Sequence, residues 1–279
     1  MKFREDSLKQ RNQDINASSQ YTIDKKYNYW VAQTTPIRGK RVVKILQKYF
    51  SKNTTLLDVG SSQALTFSYL AQAFPKIVGI DIDKKAHITA VSRLRRLKIK
   101  NKIIIYNGKK IPFKNNTFEG IVSTEVFEHV DNRKKFIKEL FRVLKPGGKL
   151  LITAPNKLYP IECEFHLPFL SYLPKNLADN YVRLSKKGNS YDHVNHPTYW
   201  QFKNHLKKYF KVKDITFEIV KDHKKYYLDQ ERGTSAILIG NFLRKIDQFP
   251  QILTKPIYYL LSLISPGWIF ICSKQKIKS

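Results

Sequence analysis

Four short apolar runs, at 55–59, 77–80, 103–106 and 118–123, constrain this chain more than any other feature; each ends in polar residues, and the first two are followed by helix-like segments. Strands alternating with helical stretches build βαβ units, whose right-handed crossovers give a parallel sheet with helices on both faces. The runs deliver Asp58-Val59-Gly60, Asp81, Asn107 and Thr124-Glu125 to their carboxyl ends. In an open α/β sheet that edge is where ligands bind, so these positions are candidate site residues before any chemistry is assigned.

The first unit is the most specific. Strand, tight turn, a helical run at 64–73, strand and acid follow in order, and the spacing from Gly60 to Asp81 is close to the ~20 residues expected for a carboxylate that holds ribose hydroxyls. Ser61, Ser62 and Ala64 stand where a dinucleotide fingerprint would carry glycines, which let backbone approach a pyrophosphate. A cofactor with a ribose and no phosphate, such as S-adenosylmethionine, tolerates those side chains better. Downstream, 133–144 has helical apolar spacing through Phe136, Ile137, Leu140, Phe141, Val143 and Leu144; Pro146 cannot continue it, and Gly147-Gly148 supply a turn into a strand at 149–153.

IPFKNNTFEGIVSTEVFEHV, followed by KELFRVLKPGGKLLITAPN, resembles the class I S-adenosylmethionine-dependent methyltransferases, and is most similar to the branch holding quinone-biosynthesis and many small-molecule, lipid and glycan enzymes. The resemblance covers roughly 56–156. It implies an α/β, Rossmann-like, seven-stranded, mostly parallel sheet with helices on both faces and a reversed last strand. It also implies cofactor-binding roles: Asp58 near the methionine end, Gly60 and Ser61 in the cofactor loop, Asp81 on the ribose and Ile82 beside the adenine. Asn107 and Gly108 would face the adenine amino group, Asn107 through its carbonyl oxygen, and Thr124 and Glu125 would line the methyl side. Ser62 and Ala64 depart from the family's glycines, and Asn107 from its usual Asp.

Around this core the chain divides into an N-terminal segment, 1–37, polar, aperiodic to residue 26 and expected to be partly mobile; the cofactor-binding core, 38–156; an insertion at 157–200 that by resemblance covers the acceptor pocket; and 201–279, which ends the sheet and carries an apolar helical insertion at about 222–266. Tyr27, Tyr29 and Trp30 form an aromatic cluster ahead of a helix at 38–50, read first as a staple onto the core and second as a lid. At 86–97 a helix is expected with Ile88, Val91, Leu94 and Leu97 on one side and Arg93, Arg95 and Arg96 on a solvated basic face. A strand is expected at 214–220, helices at 236–246 and 257–264, and a closing strand at 268–272. Tyr258, Tyr259, Leu260, Leu261 and Ile264 are read as packing on the core, with an interfacial patch as the alternative.

Methyl transfer to a hydroxyl benefits from a base, and His193 is the first candidate, His129 the second. His166 and His196 are further candidates. Asp192, His193 and His196 invite a metal reading, but clustering in sequence defines no geometry and no metal is expected.

The net charge of +29 suggests an anionic partner, although Lys exceeds Arg about three to one, and a compositional bias toward Lys, Asn, Ile and Tyr gives the same excess. The run after 123 lacks the Asn/Asp-Pro-Pro-aromatic pattern of base-amine enzymes, and neither Cys163 nor Cys272 follows a proline as in cytosine-C5 enzymes. That elimination leaves a small-molecule, glycan or lipid-linked acceptor, O-methylated. An RNA methyltransferase and a catalytically silent cofactor-binding module are the alternatives. Two cysteines and a charged N-terminal stretch fit a cytoplasmic protein, with peripheral contact at the inner face of an anionic membrane as a further expectation.

Overall fold

A computed structural model describes residues 2–18 and 25–275. Two helices, α1 (Leu8–Ser18) and α2 (Lys25–Leu46), precede the alternation of β1 (Leu56–Val59), α3 (Leu65–Ala73), β2 (Ile77–Asp81), α4 (Lys84–Arg96), β3 (Ile103–Ile105), β4 (Phe118–Ser123), α5 (Arg133–Val143) and β5 (Leu144–Pro155). Then come α6 (Lys175–Leu184), α7 (Tyr199–Lys207), β6 (Lys211–Asp214), α8 (Thr216–Lys221), α9 (Leu228–Arg232), α10 (Thr234–Ile246), α11 (Gln251–Ile264) and β7 (Gly267–Ser273).

The strands form one sheet in the order β3-β2-β1-β4-β5-β7-β6. β1 to β5 run parallel, and β7 runs antiparallel to both of its neighbours, giving the reversed last strand. β1 is buried at all four positions, which is why it reads as an unbroken apolar run. One face packs Leu46, Phe67, Leu70, Phe74 and Leu94. The other packs Ile137, Leu140, Phe202, Leu206 and Phe270. The chain leaves β1 in one direction through β2 and β3 and returns to place β4 on the other side, so the switch point lies between β1 and β4.

Five elements differ from the sequence reading. α2 begins at Lys25 and runs through Pro36. A proline strips the carbonyl four residues back of its partner, and here that carbonyl, Ala32 O, accepts instead from Arg11 Nε at 2.7 Å. The N-terminal stretch therefore contains a docked helix, α1, where an aperiodic segment was expected.

In α4 the buried residues are Ala86, Ala90, Arg93 and Leu94, while Ile88 and Val91 face outward. Arg93 is 2% exposed because Asp6 and Asp14 neutralise it, at 2.9 and 2.7 Å. Leu94 and Leu97 are buried as expected, but Ile88 and Val91 are turned outward, and Arg93 is buried instead through its ion pairs with Asp6 and Asp14. The expected strand at 214–220 is a strand only to Asp214; Asp214 Oδ1 accepts from Thr216 N and the chain turns into α8. Lys145 to Gly148 lie within β5, whose pairing with β4 shifts register there, so the expected turn is a bulge. The insertion closes on a small core of its own, built from Phe165, Leu167, Leu170, Ala178, Val182, Tyr191 and Val194.

Candidate active site

The loop after β1 is built on a close approach. Gly60 has φ +85°, and a Cβ there would lie 2.3 Å from Val126 Cγ2. Ser62 and Ala64 adopt φ of 44° and 58°. Ser62 and Ala64 thus hold a left-handed backbone that favours glycine, each at a cost of about 1–2 kcal/mol. Asp58, 5% exposed, accepts from Ser61 Oγ at 2.7 Å. Burial raises its carboxyl to about 7 against that bond, and nearby Asp81 adds to the rise. Asp81 accepts from Ser62 N at 2.6 Å and from Asp83 N at 2.8 Å. Each oxygen keeps a second lone pair for a ribose hydroxyl. The loop carbonyl of Gln63 accepts from Arg93 Nε at 3.0 Å, so the ion pair that docks α1 also holds this loop.

Beside Asp81, Ile82 is 61% exposed, an apolar surface at the strand end suited to a flat ring. Gly108 has φ +72°, and a Cβ there would close to 3.3 Å on Ile82 Cγ2. Asn107 Oδ1 accepts from the amides of Lys109 and Lys110, at 3.0 and 3.2 Å. Its carbonyl oxygen is therefore engaged in a turn, and the side chain presents Nδ2, a donor, in place of the acceptor the sequence reading assigned.

After β4, Glu125 has φ +57°, and its amide donates to Thr153 Oγ1 at 3.0 Å. Thr124, half-buried, precedes it. Strain of this kind at a non-glycine residue concentrates at ligand sites. Arg38 of α2 lies 3.9 Å from Glu125, 3.0 Å from Glu231, and 4.6 Å over the Trp30 ring. Tyr27 and Trp30 both pack against His166 of the insertion. Tyr27 and Trp30 thus reach from α2 to the insertion beside Glu125, while Tyr29 is exposed. Burial lowers the His166 pKa and raises that of Tyr27.

The insertion brings histidines and glutamates together in pairs that sequence order concealed. His193 Nε2 lies 2.9 Å from Glu164 Oε1, and its ring stacks parallel on His129 at 5.7 Å. His129 Nδ1 lies 3.2 Å from the His193 carbonyl. Separately, His196 Nε2 lies 2.6 Å from Glu162 Oε1, and Cys163 Sγ is 3.8 Å from the same nitrogen. The Asp192, His193 and His196 trio is accordingly split between two clusters, and Asp192 belongs to neither. His129-Glu164-His193 and Glu162-Cys163-His196 each have cation-ligating spacing, and each is also held by its own histidine–carboxylate bond. Glu128, buried below them, is pushed well up by burial, with Glu125 and Glu164 adding to the rise. Asn195 N donates to the Glu128 carbonyl at 2.9 Å, tying insertion to strand end.

Sequence reasoning missed Gln63, Arg93, Val126, Arg38, Glu164 and Glu162. Only the acidic residues flanking Cys163 carried a local signal, since each Glu sits in an otherwise apolar and aromatic run.

Residues 57–152 match the family model for a methyltransferase domain. The chain is 32% identical over 169 residues to the mitochondrial ubiquinone biosynthesis O-methyltransferase of Dictyostelium discoideum, a match covering 53% of this chain and 50% of that one. It is 30% identical over 148 residues to the ubiquinone/menaquinone biosynthesis C-methyltransferase of Escherichia coli, covering 48% and 59%. The chain thus spans about half the length of these curated relatives. A solved S-adenosylmethionine-dependent methyltransferase from Methanosarcina mazei shares the fold with TM-score 0.51 and 19% identity, over 84% of this chain and 98% of that one.

Proposed function

We propose that this protein transfers the methyl group of S-adenosylmethionine to a hydroxyl of a small-molecule, glycan or lipid-linked acceptor seated between the strand ends and the 157–200 insertion. The observation that carries this reading is the His129-His193-Glu164 cluster standing over the end of β4, beside the Asp58, Gly60 and Asp81 edge. The loop fits the cofactor: it has two acids, an exposed apolar surface at Ile82, and glycine-like backbone at Gly60, Ser62, Ala64 and Gly108.

When bound, the cofactor supplies an electrophilic methyl on sulfur. Asp58 would receive its ammonium group, Asp81 its ribose hydroxyls, and Ile82 and Gly108 its adenine. Thr124 and Glu125 would line the methyl side. Tyr27, Trp30 and His166, packed on one another beside Glu125, would close one wall against water, which favours transfer to the acceptor over hydrolysis. Alignment is the main requirement of such a displacement, and a base adds to it.

His129 is the better-placed base. Its Nδ1–H donates to the His193 carbonyl, which leaves the lone pair on Nε2 to take the acceptor's hydroxyl proton. His193, bonded to Glu164, orients that ring through the stack.

A methyl-transfer assay with labelled cofactor against fractionated lipid and glycan pools tests the reading. His129→Gln should lower kcat by about 10²- to 10⁴-fold while leaving the cofactor Kd unchanged. If calorimetry finds no S-adenosylmethionine binding to the folded protein, the reading fails.

A further inference from the structure

α11 is built inside out. The residues it buries fully are polar, Thr254 and Ser262; the Tyr258 hydroxyl donates to Asp247 Oδ1 at 2.6 Å, and Leu263 packs only partly against the core. Ser262 O accepts from Trp268 Nε1 at 2.7 Å. The residues it turns to solvent are aliphatic. Leu253, Ile257, Leu260 and Ile264 follow one another at helical spacing along a single stripe and are all exposed, Leu260 at 61%. Ile252 lies beside them. On α10, exposed Leu238 and Phe242 align with Lys245, and Phe249 is exposed between the two helices. The sequence reading of this segment as core packing fails for Tyr259, Leu260 and Ile264, which are exposed, and holds in part for Tyr258, whose ring packs on Phe217, and for Leu261, which is half-buried.

We propose that this face of α10 and α11 docks on the surface of an anionic lipid bilayer. Between residues 232 and 267 the chain carries Arg232, Arg244, Lys245 and Lys255 against one acid, Asp247, which is itself tied to Lys221 at 2.6 Å. A second copy would bring the same cations together. An anionic surface attracts them instead, and the chain's +29 charge reinforces that attraction. Aliphatic residues flanked by lysines whose stems reach past them are the composition of an interfacial helix. At the edge of the stripe, Trp200 Nε1 donates to the Tyr259 hydroxyl at 2.8 Å, a pair of rings with both apolar and polar parts, suited to the headgroup level. Among the described residues no helix is long and apolar enough to cross a membrane, so the face lies on the bilayer.

The position gives docking a use. Asn156, just past the end of β5, holds the carbonyls of Leu263 and Ser265 through Nδ2, both at 2.8 Å. The last turn of α11 is thereby anchored at the carboxyl edge of the sheet, where the candidate active site lies. An acceptor with a lipid tail could reach the site with its tail still in the bilayer. Docking stands on this geometry alone and does not depend on methyl transfer.

The test is flotation of the full chain with vesicles of phosphatidylcholine, with and without phosphatidylglycerol. Binding is expected to the anionic vesicles, and about tenfold or more weaker to phosphatidylcholine alone. Leu253→Glu with Leu260→Glu, both outward, should retain the wild-type melting curve and weaken binding by about a hundredfold. Lys245→Gln with Lys255→Gln, which disturbs no packing, should remove most of the preference for anionic lipid. Ile88→Glu, an equally exposed change on α4, should bind as wild type. The proposal is overturned if the wild type binds neither vesicle, or if the leucine pair binds as wild type. It is also overturned if the wild type forms a lipid-free dimer that the leucine pair dissolves and no vesicle recruits.

Discussion

Asp58→Asn separates two opposite pH trends that one buried carboxylate should produce. Burial places the Asp58 carboxyl at about 7. On the proposed reading only its ionised form attracts the cofactor's ammonium group. From pH 5 to pH 7 the ionised fraction rises from ~1% to ~50%, so the Kd for S-adenosylmethionine should tighten by about fiftyfold, or about 2.3 kcal/mol. Folding responds with the other sign. A carboxyl whose folded pKa is raised binds more protons folded than unfolded, so its contribution to stability is present below about pH 4 and lost as pH rises to about 7, with a ceiling of about 4 kcal/mol. Asp58→Asn should flatten both curves, giving weak, pH-independent binding and a protein more stable than wild type at pH 8. Titration calorimetry in two buffers of different ionisation enthalpy reads the proton directly. Wild type should release up to about one proton on binding at pH 6, and the variant none. A variant that keeps the wild-type slope and proton release would refute the placement of Asp58 against the cofactor.

The remaining predictions concern the loop and its support. Ser62→Gly relieves a left-handed serine and should raise stability in urea by up to about 1 kcal/mol; a loss would show that the side chain is needed there. Gly60→Ala meets both a positive φ and Val126, and should cost about 2 kcal/mol and weaken cofactor binding; adding Val126→Ala should restore part of each, as read by denaturation and calorimetry. Arg93→Met removes the buried partner of Asp6 and Asp14, which keep only the more exposed Arg96, and releases Gln63 O; it should cost about 3 kcal/mol and speed hydrogen exchange in α1 before the sheet.

The strand ends were legible because everything that specifies them is local. An apolar run, a turn and an acid within a few residues identify β1, β2 and β4, and the order of the motifs carries the sheet topology. Ser62 and Ala64 could be seen to replace glycines, but only the backbone angles tell that they keep a glycine conformation. The sequence by itself determined the parallel strand–helix alternation and the edge where Asp58, Gly60, Asp81, Asn107 and Glu125 stand, while the reversed last strand came only as what the resemblance implied. Tertiary structure decided what partners distant residues find. Arg93 is buried because Asp14 approaches it from 79 residues away, α2 survives Pro36 because Arg11 reaches Ala32, and His193 and His196 separate because each meets a different glutamate. The same holds for α11, whose aliphatic stripe looks like core in sequence and lies outside, while the residues the helix buries fully are polar. Periodicity reports that a face is apolar; only the packing of the whole chain reports what that face meets.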